Sequence, residues 1–319
     1  MRLACVRYLN TAPLIEGLDA LPGLSLVPAV PSAIAPMLAR GEADLGLASV
    51  IDAARGARAG GSDSGASVPL TIVPCGMIGC DGATLTVRLF STTPIDRLQS
   101  LHADTDSHTS VALARVVLAE RFGIRPSVVP FSLDEDAGIG TPASHDAWPA
   151  AVLLIGDKVV TAAPPASRYP HQLDLGLAWH EMTGLPFVYA AWQCRAADLE
   201  DAQKAAAIAR AAAVLDRQRL RNRARLGSII ERRAPARGWP PDMAHRYLGR
   251  LLRYGLGERE QQAVRHFVKL AGAHGVIDAG LPVRFFDWRA CARASFAGGE
   301  GAARGAGGGA GGAVGTAEA

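Results

Sequence analysis

Residues 2–14 read RLACVRYLNTAPL: an apolar run from Arg2 to Val6, a polar step at Asn10-Thr11, then a stretch entering a helix through Pro13. A short apolar run that ends on polar side chains and turns into a helix is the strand–helix unit of an open α/β sheet. In such sheets ligand groups gather beyond the carboxyl ends of the strands. Asn10 can both donate and accept hydrogen bonds, which suits a hydroxyl or a carboxylate. Capping of the following helix by Asn10 or Thr11 is the structural alternative.

Working outward, the same unit recurs. Further strands are expected at Leu24–Val30, Ala43–Leu47, Leu70–Met77, Thr84–Phe90, Ser127–Phe131, Ala150–Ile155 and Leu185–Trp192. Helices are expected at Pro13–Leu18, Ser32–Ala39, Thr109–Phe122 and Leu175–Met182. This alternation predicts an α/β fold with largely parallel sheets. Val111, Ala114, Leu118 and Phe122 recur at spacings of three and four, so they share one helix face. Residues 199–270 read as helical without a strand signal, broken at Gly238-Trp239-Pro240-Pro241. Trp179 and Trp192 are expected to pack in the core or at a hinge. Gly56–Ser67 reads as a surface loop, and the Gly/Ala-rich tail, residues 289–319, as disordered.

Composition narrows the function. The 319 residues are 49% hydrophobic and 20% charged, enough for a sizeable core. A formal net charge of +3 is too small to point to nucleic acid as partner. The basic run Arg217–Arg225 has acidic residues around it and no interleaved aromatics, so it reads as a solvated helix face. Cys5, Cys75, Cys80, Cys194 and Cys291 are odd in number and scattered, which fits buried thiols better than disulfides or a metal site. No apolar stretch is long enough to span a bilayer, and the N-terminus enters a strand directly, so a cytoplasmic protein with no membrane partner is expected.

A second motif, Asp104-Thr105-Asp106-Ser107-His108-Thr109-Ser110, precedes the strongest helical pattern. Hydroxyls and backbone N–H groups at a helix N-terminus make an anion site, so a carboxylate or phosphate is expected at Ser107, Thr109 and Ser110. Simple capping by Ser107 or Thr109 is again the alternative, and His108 reads as an exposed bystander. The chain has no P-loop, HExxH, paired CxxC or GxSxG signature.

Taken in order, the motifs resemble the chorismate dehydratase family of the futalosine route to menaquinone. They are YLNT-x-PL (Tyr8 to Leu14), Val30-Pro31-Ser32, Gly41-Glu42-Ala43-Asp44, the strand Thr86 to Ser91, the helix entry just described, Leu154-Ile155-Gly156-Asp157, and Asp174 to Trp192 with its Thr183-Gly184-Leu185-Pro186-Phe187-Val188 core. The resemblance covers residues 2–288. Two departures stand out. Thr86 occupies a usual serine position, keeping the hydroxyl but restricting χ1. Asp106 replaces another serine at the helix entry, where an inward carboxylate would oppose an anion.

The resemblance implies a type-II periplasmic-binding-protein-like fold, two α/β lobes with a ligand cleft between them. Lobe one would be residues 1–87 plus 190–288 and lobe two 88–189, with crossings near Thr86–Arg88 and Val188–Ala191. It implies dehydration of chorismate to 3-[(1-carboxyvinyl)oxy]benzoate, with Asn10 and Thr86 as catalytic residues. Tyr8, Thr11, Ser49, Ser107, Thr109 and Ser110 are the expected substrate contacts. No cofactor and no metal is expected. Asp44, Asp157, Asp174 and Glu181 read as structural. A binding protein of the same fold for a small anion or aromatic carboxylate, or another futalosine-pathway enzyme of this fold, are the alternatives.

Overall fold

The computed structural model describes residues 1–58, 67–104, 106–133 and 148–294. Most of the 56–67 loop and the tail from 295 lie outside them. Residues 289–294, expected to begin the disordered tail, are helical.

Strand β1 (Arg2–Cys5) passes through α1 (Ala12–Ile15) to β2 (Ser25–Pro28), its parallel neighbour. Helix α2 (Pro31–Ala39) then crosses to β3 (Leu45–Ser49), parallel on the other side of β1. Gly46 is required there, since a Cβ would lie 2.5 Å from Ile34 Cγ2 and 3.1 Å from Leu38 Cδ1, so α2 sits directly on the strand. After α3 (Asp52–Arg55), β4 (Ala57–Arg58) and β5 (Ser67–Val68) pair as a small ribbon, and the fully buried β6 (Leu70–Cys80) follows.

The chain next builds a second sheet from β7 (Val87–Ser91), β8 (Ser100–Asp104), β9 (Ser127–Phe131), β10 (Ala151–Ile155) and β11 (His171–Asp174), in the order β11-β7-β10-β8-β9. Helices α4 (His108–Phe122), α5 (Lys158–Thr161) and α6 (Leu175–Thr183) connect these strands and lead onward. Strand β12 (Phe187–Arg195) returns to the first sheet between β3 and β6. Helices α7 (Ala202–Ala224), α8 (Leu226–Arg233) and α9 (Pro241–Arg246) follow, then a π-helical turn at Tyr247–Leu251, β13 (Leu252–Arg253) and α10 (Glu258–Ala273). The first sheet is six-stranded, ordered β13-β6-β12-β3-β1-β2.

Two expectations are corrected here. The sheets are mixed rather than largely parallel, because β12 runs antiparallel to both β3 and β6, and β7 antiparallel to both β10 and β11. A strand does occur in the stretch read as wholly helical, since β13 pairs with the end of β6. Helix α4 is buried on more than one face: Ala112, Leu113, Val116 and Val117 join Ala114 and Leu118 in the interior. It also packs against α6 and α10.

The largest core cluster spans both sheets. At its centre the rings of Trp179, Phe187 and Phe267 meet edge-on at 4.9–5.9 Å, an arrangement that aromatic quadrupoles favour. Trp179 and Trp192 are both buried, as the sequence predicts. The solvated face expected of α7 is present as well: Arg217, Arg221, Arg223 and Arg225 are exposed, while Gln218 and Asn222 turn inward and donate to the Glu16 carbonyl. Cys5, Cys75, Cys80 and Cys194 are buried, and burial pushes Cys5 up to about 11 and Cys194 up to about 12. Among the described residues, no helix is long and apolar enough to cross a membrane.

Candidate functional site

A pocket of about 540 Å³, its mouth included, lies where the ends of β1, β3 and β10 meet the start of α4. Six of the eight expected site residues line it: Tyr8, Asn10, Ser49, Thr86, Ser107 and Ser110. Leu47, Ile78, Ile155 and Leu252 supply apolar wall. Among its described lining residues there is no Asp, Glu, His, Lys or Arg.

Asn10 makes no helix cap, so the capping alternative fails: neither the short helical turn Leu9–Thr11 nor α1 has a side-chain cap. Its Oδ1 instead accepts the Thr11 hydroxyl at 3.2 Å. Thr11 is fully buried and does not line the pocket. Ser107 both caps and lines: its Oγ accepts the Ser110 N–H at 3.2 Å and lies 3.0 Å from the Ser110 hydroxyl. Thr109 points elsewhere, its Oγ1 accepting the Ile51 N–H at 3.2 Å. His108 is no bystander, because its Nδ1 lies 3.1 Å from both carboxylate oxygens of Asp52, which is fully buried.

Thr86 is placed by strained backbone. Leu85, immediately before it, is the one non-glycine residue with positive φ (75°) among the described residues. Such a conformation persists only when its surroundings fix it. Here Asp174 does so, accepting the N–H groups of Leu85 at 2.7 Å and of Thr84 at 3.0 Å. The Thr86 carbonyl accepts the Gly156 N–H at 2.9 Å. Its hydroxyl lies 2.6 Å from the Tyr247 hydroxyl.

The departure at Asp106 meets a cation in place. Lys158 Nζ lies 2.8 Å from Asp106 Oδ2 and 2.8 Å from Asp104 Oδ2, and the Tyr8 hydroxyl donates to Asp106 at 3.3 Å. Asp106 faces a wider outer cleft with Arg7, Asp157 and Arg237 rather than the inner pocket. Burial opposes the Lys158 charge, but the two carboxylates outweigh it and raise its pKa. Burial, ahead of the attraction of Lys158, also lifts Asp104. The two shifts agree physically: one ammonium between two carboxylates leaves a net negative cluster that holds its protons tightly.

Asp157, also on the outer cleft, ties the start of the Leu9–Thr11 turn to Trp239. It accepts the Leu9 N–H at 3.2 Å and the Trp239 indole N–H at 3.0 Å, and burial raises its pKa. Tyr247, Trp239 and Lys158 were not singled out from the sequence. Tyr and Trp in a helix-rich segment carry no signal that separates a site from ordinary core, and Lys158 gains its meaning only from its two distant carboxylates.

A pocket at the strand ends of two mixed α/β sheets defines a two-lobed, binding-protein-like molecule. Solved structures agree: a protein of Archaeoglobus fulgidus superposes with TM-score 0.55 at 16% identity, covering 86% of this chain and 98% of that one. The periplasmic aliphatic sulphonate binding protein SsuA of Escherichia coli gives TM-score 0.56 at 14% identity, covering 90% and 92%. At those identities the likeness shows the fold alone. The chain belongs to the menaquinone biosynthesis family, whose sequence model matches residues 1–273. It is 28% identical to the chorismate dehydratase of Thermus thermophilus over 284 residues, 85% of this chain and 94% of that protein. The chain therefore has a role in menaquinone biosynthesis.

Proposed function

We propose that this protein is a hydro-lyase that dehydrates chorismate to 3-[(1-carboxyvinyl)oxy]benzoate. The observation that carries the reading is the composition of the inner pocket: neutral hydroxyl and amide groups from six separated segments, apolar walls, and no ionisable carboxylate or imidazole among the lining residues. Such a pocket can orient a substrate and stabilise developing charge, but it offers no ordinary protein base. Chorismate can bring its own. Its enolpyruvyl carboxylate takes the proton from the ring carbon that bears the ether, while the C–O bond to the neighbouring hydroxyl breaks. The departing hydroxide collects that proton as water, the carboxylate is restored, and the ring becomes aromatic.

In this reading Thr86 and Asn10 face the departing oxygen and the enolpyruvyl group. Ser107 and Ser110, with the N-terminal end of α4, hold the ring carboxylate. Tyr8 and Ser49 complete the walls. The side chains of Thr11 and Thr109 act from behind, on Asn10 and on Ile51. We take the six-stranded sheet with the C-terminal helices as one lobe and the five-stranded sheet as the other, the chain passing between them at 81–86 and 184–186.

Incubation of the purified protein with chorismate and no added cofactor, followed by chromatography and mass analysis, tests this. Catalytic release of the enolpyruvyl-oxybenzoate is expected, with turnover falling by roughly 100-fold or more in Asn10→Ala. Saturable binding of chorismate without turnover would favour a binding protein instead.

A further inference from the structure

We infer that Tyr247 is a positioning residue for this dehydration, holding the Thr86 hydroxyl as a hydrogen-bond donor aimed into the pocket. The inference rests on the dehydratase reading and adds a residue to it.

The Tyr247 hydroxyl lies 2.6 Å from Thr86 Oγ1, although the two are 161 positions apart in the chain. Its ring lines the same pocket. Asn10 lines that pocket too, so the phenol shares it with both residues assigned to the reaction. Either hydroxyl can donate across this contact, and here the phenol hydrogen is assigned to Thr86 Oγ1. Thr86 has a single hydroxyl hydrogen, and with its oxygen occupied as acceptor that hydrogen is left for the pocket. Hydrogen bonds running one way polarise each other, so the last donor is the strongest.

The phenol is itself fixed. Tyr247 opens a π-helical turn, a geometry that recurs at functional sites. Its ring stacks on Trp239 at 4.9 Å with 12° between planes. The Trp239 indole donates to Asp157, which also accepts the N–H of Leu9, the neighbour of Asn10. Contacts thus run from Leu9, beside Asn10, through Asp157, Trp239 and Tyr247 to Thr86. Burial raises the Tyr247 pKa, which keeps the phenol protonated as the donor this arrangement needs.

The test is a double-mutant cycle on chorismate turnover. Tyr247→Phe keeps the ring and its stack and removes only the hydroxyl. We expect kcat to fall roughly 10–100-fold, with KM within about threefold of the parent and an unchanged melting temperature. In a Thr86→Val background, where there is no donor left to aim, Tyr247→Phe should cost almost nothing more. Trp239→Phe, which loosens the platform, should show a smaller kcat loss in the same direction. A Tyr247→Phe enzyme within about twofold of parental kcat would overturn the inference, as would losses that multiply in the double variant. Parental protein without turnover sinks the dehydratase reading, and this inference with it, so the parental control separates the two failures.

Discussion

Lys158 shows how much a single side chain can hold in this molecule. Its ammonium is buried between Asp104, which is also buried, and Asp106. Removing the cation leaves two neighbouring carboxylates with no counter-charge, a change that costs about 3–5 kcal/mol in buried pairs. Lys158→Met should therefore lower unfolding free energy by about that amount at pH 7, measured by denaturant titration. The sign with pH follows from the raised pKa of each group. For Lys158, stability is fully present below the unfolded value of 10.5 and is lost as pH rises above it. For Asp104, the raised value means that burial of its charge opposes folding at neutral pH and ceases to do so as the pH falls and the carboxyl takes up a proton. The deficit of Lys158→Met should thus shrink on acidification toward about pH 4. At this same scale, Asn10, Ser107 and Ser110 were legible because short motifs put polar side chains at a strand end and a helix start, whereas Thr86 came only through the family resemblance. Tyr247 and Trp239 were not, since nothing local to AHRYLGR or RGWPP distinguishes a site residue from packing.

Among the elements, α6 and the link into β7 depend on one carboxylate. Asp174 caps α6 by accepting the N–H groups of Gly176 and Leu177, each at 3.1 Å, and it reaches across to those of Thr84 and Leu85. Capping alone is worth about 1 kcal/mol, and bonds to a charged acceptor more. Asp174→Ala should cost about 2–4 kcal/mol in thermal or chemical unfolding. It should also lower turnover of the folded enzyme, because the left-handed Leu85 that aims Thr86 loses its anchor. Strands such as Ser127–Phe131 were read correctly from their β-branched and aromatic content. Strand β8 was missed: His102 and Asp104 break its apolar run, and its burial comes from neighbours on both sides. The antiparallel β12 was legible as a strand but not in its direction, which depends on how the chain re-enters the first sheet.

At the scale of the whole molecule, the two sheets are tied across the pocket by a few contacts. His108 and Thr109 at the start of α4 bond Asp52 and Ile51, beside β3, and Tyr8 reaches Asp106. In a two-lobed protein such contacts bias closure around the ligand. Asp52→Asn should weaken the His108 contact and raise KM for chorismate by roughly 3–10-fold, with a smaller change in kcat, since the chemical groups stay in place. Steady-state kinetics checks this, and a kcat loss with constant KM would count against a closing role. The binding-protein-like fold was implied by the family resemblance that the motif order carries, whereas these cross-pocket contacts pair residues with no sequence signal for each other.

The account turns on where the base comes from, and the pH dependence of kcat/KM with chorismate tests that most directly. With the base on the substrate and Tyr247 held protonated, turnover should stay level from about pH 5.5 to 9. It should show no limb near the histidine range and no loss at the ordinary tyrosine value of about 10. Absence of turnover at every pH, or an ascending limb at about pH 6–7 that marks a protein carboxylate or imidazole, would contradict it.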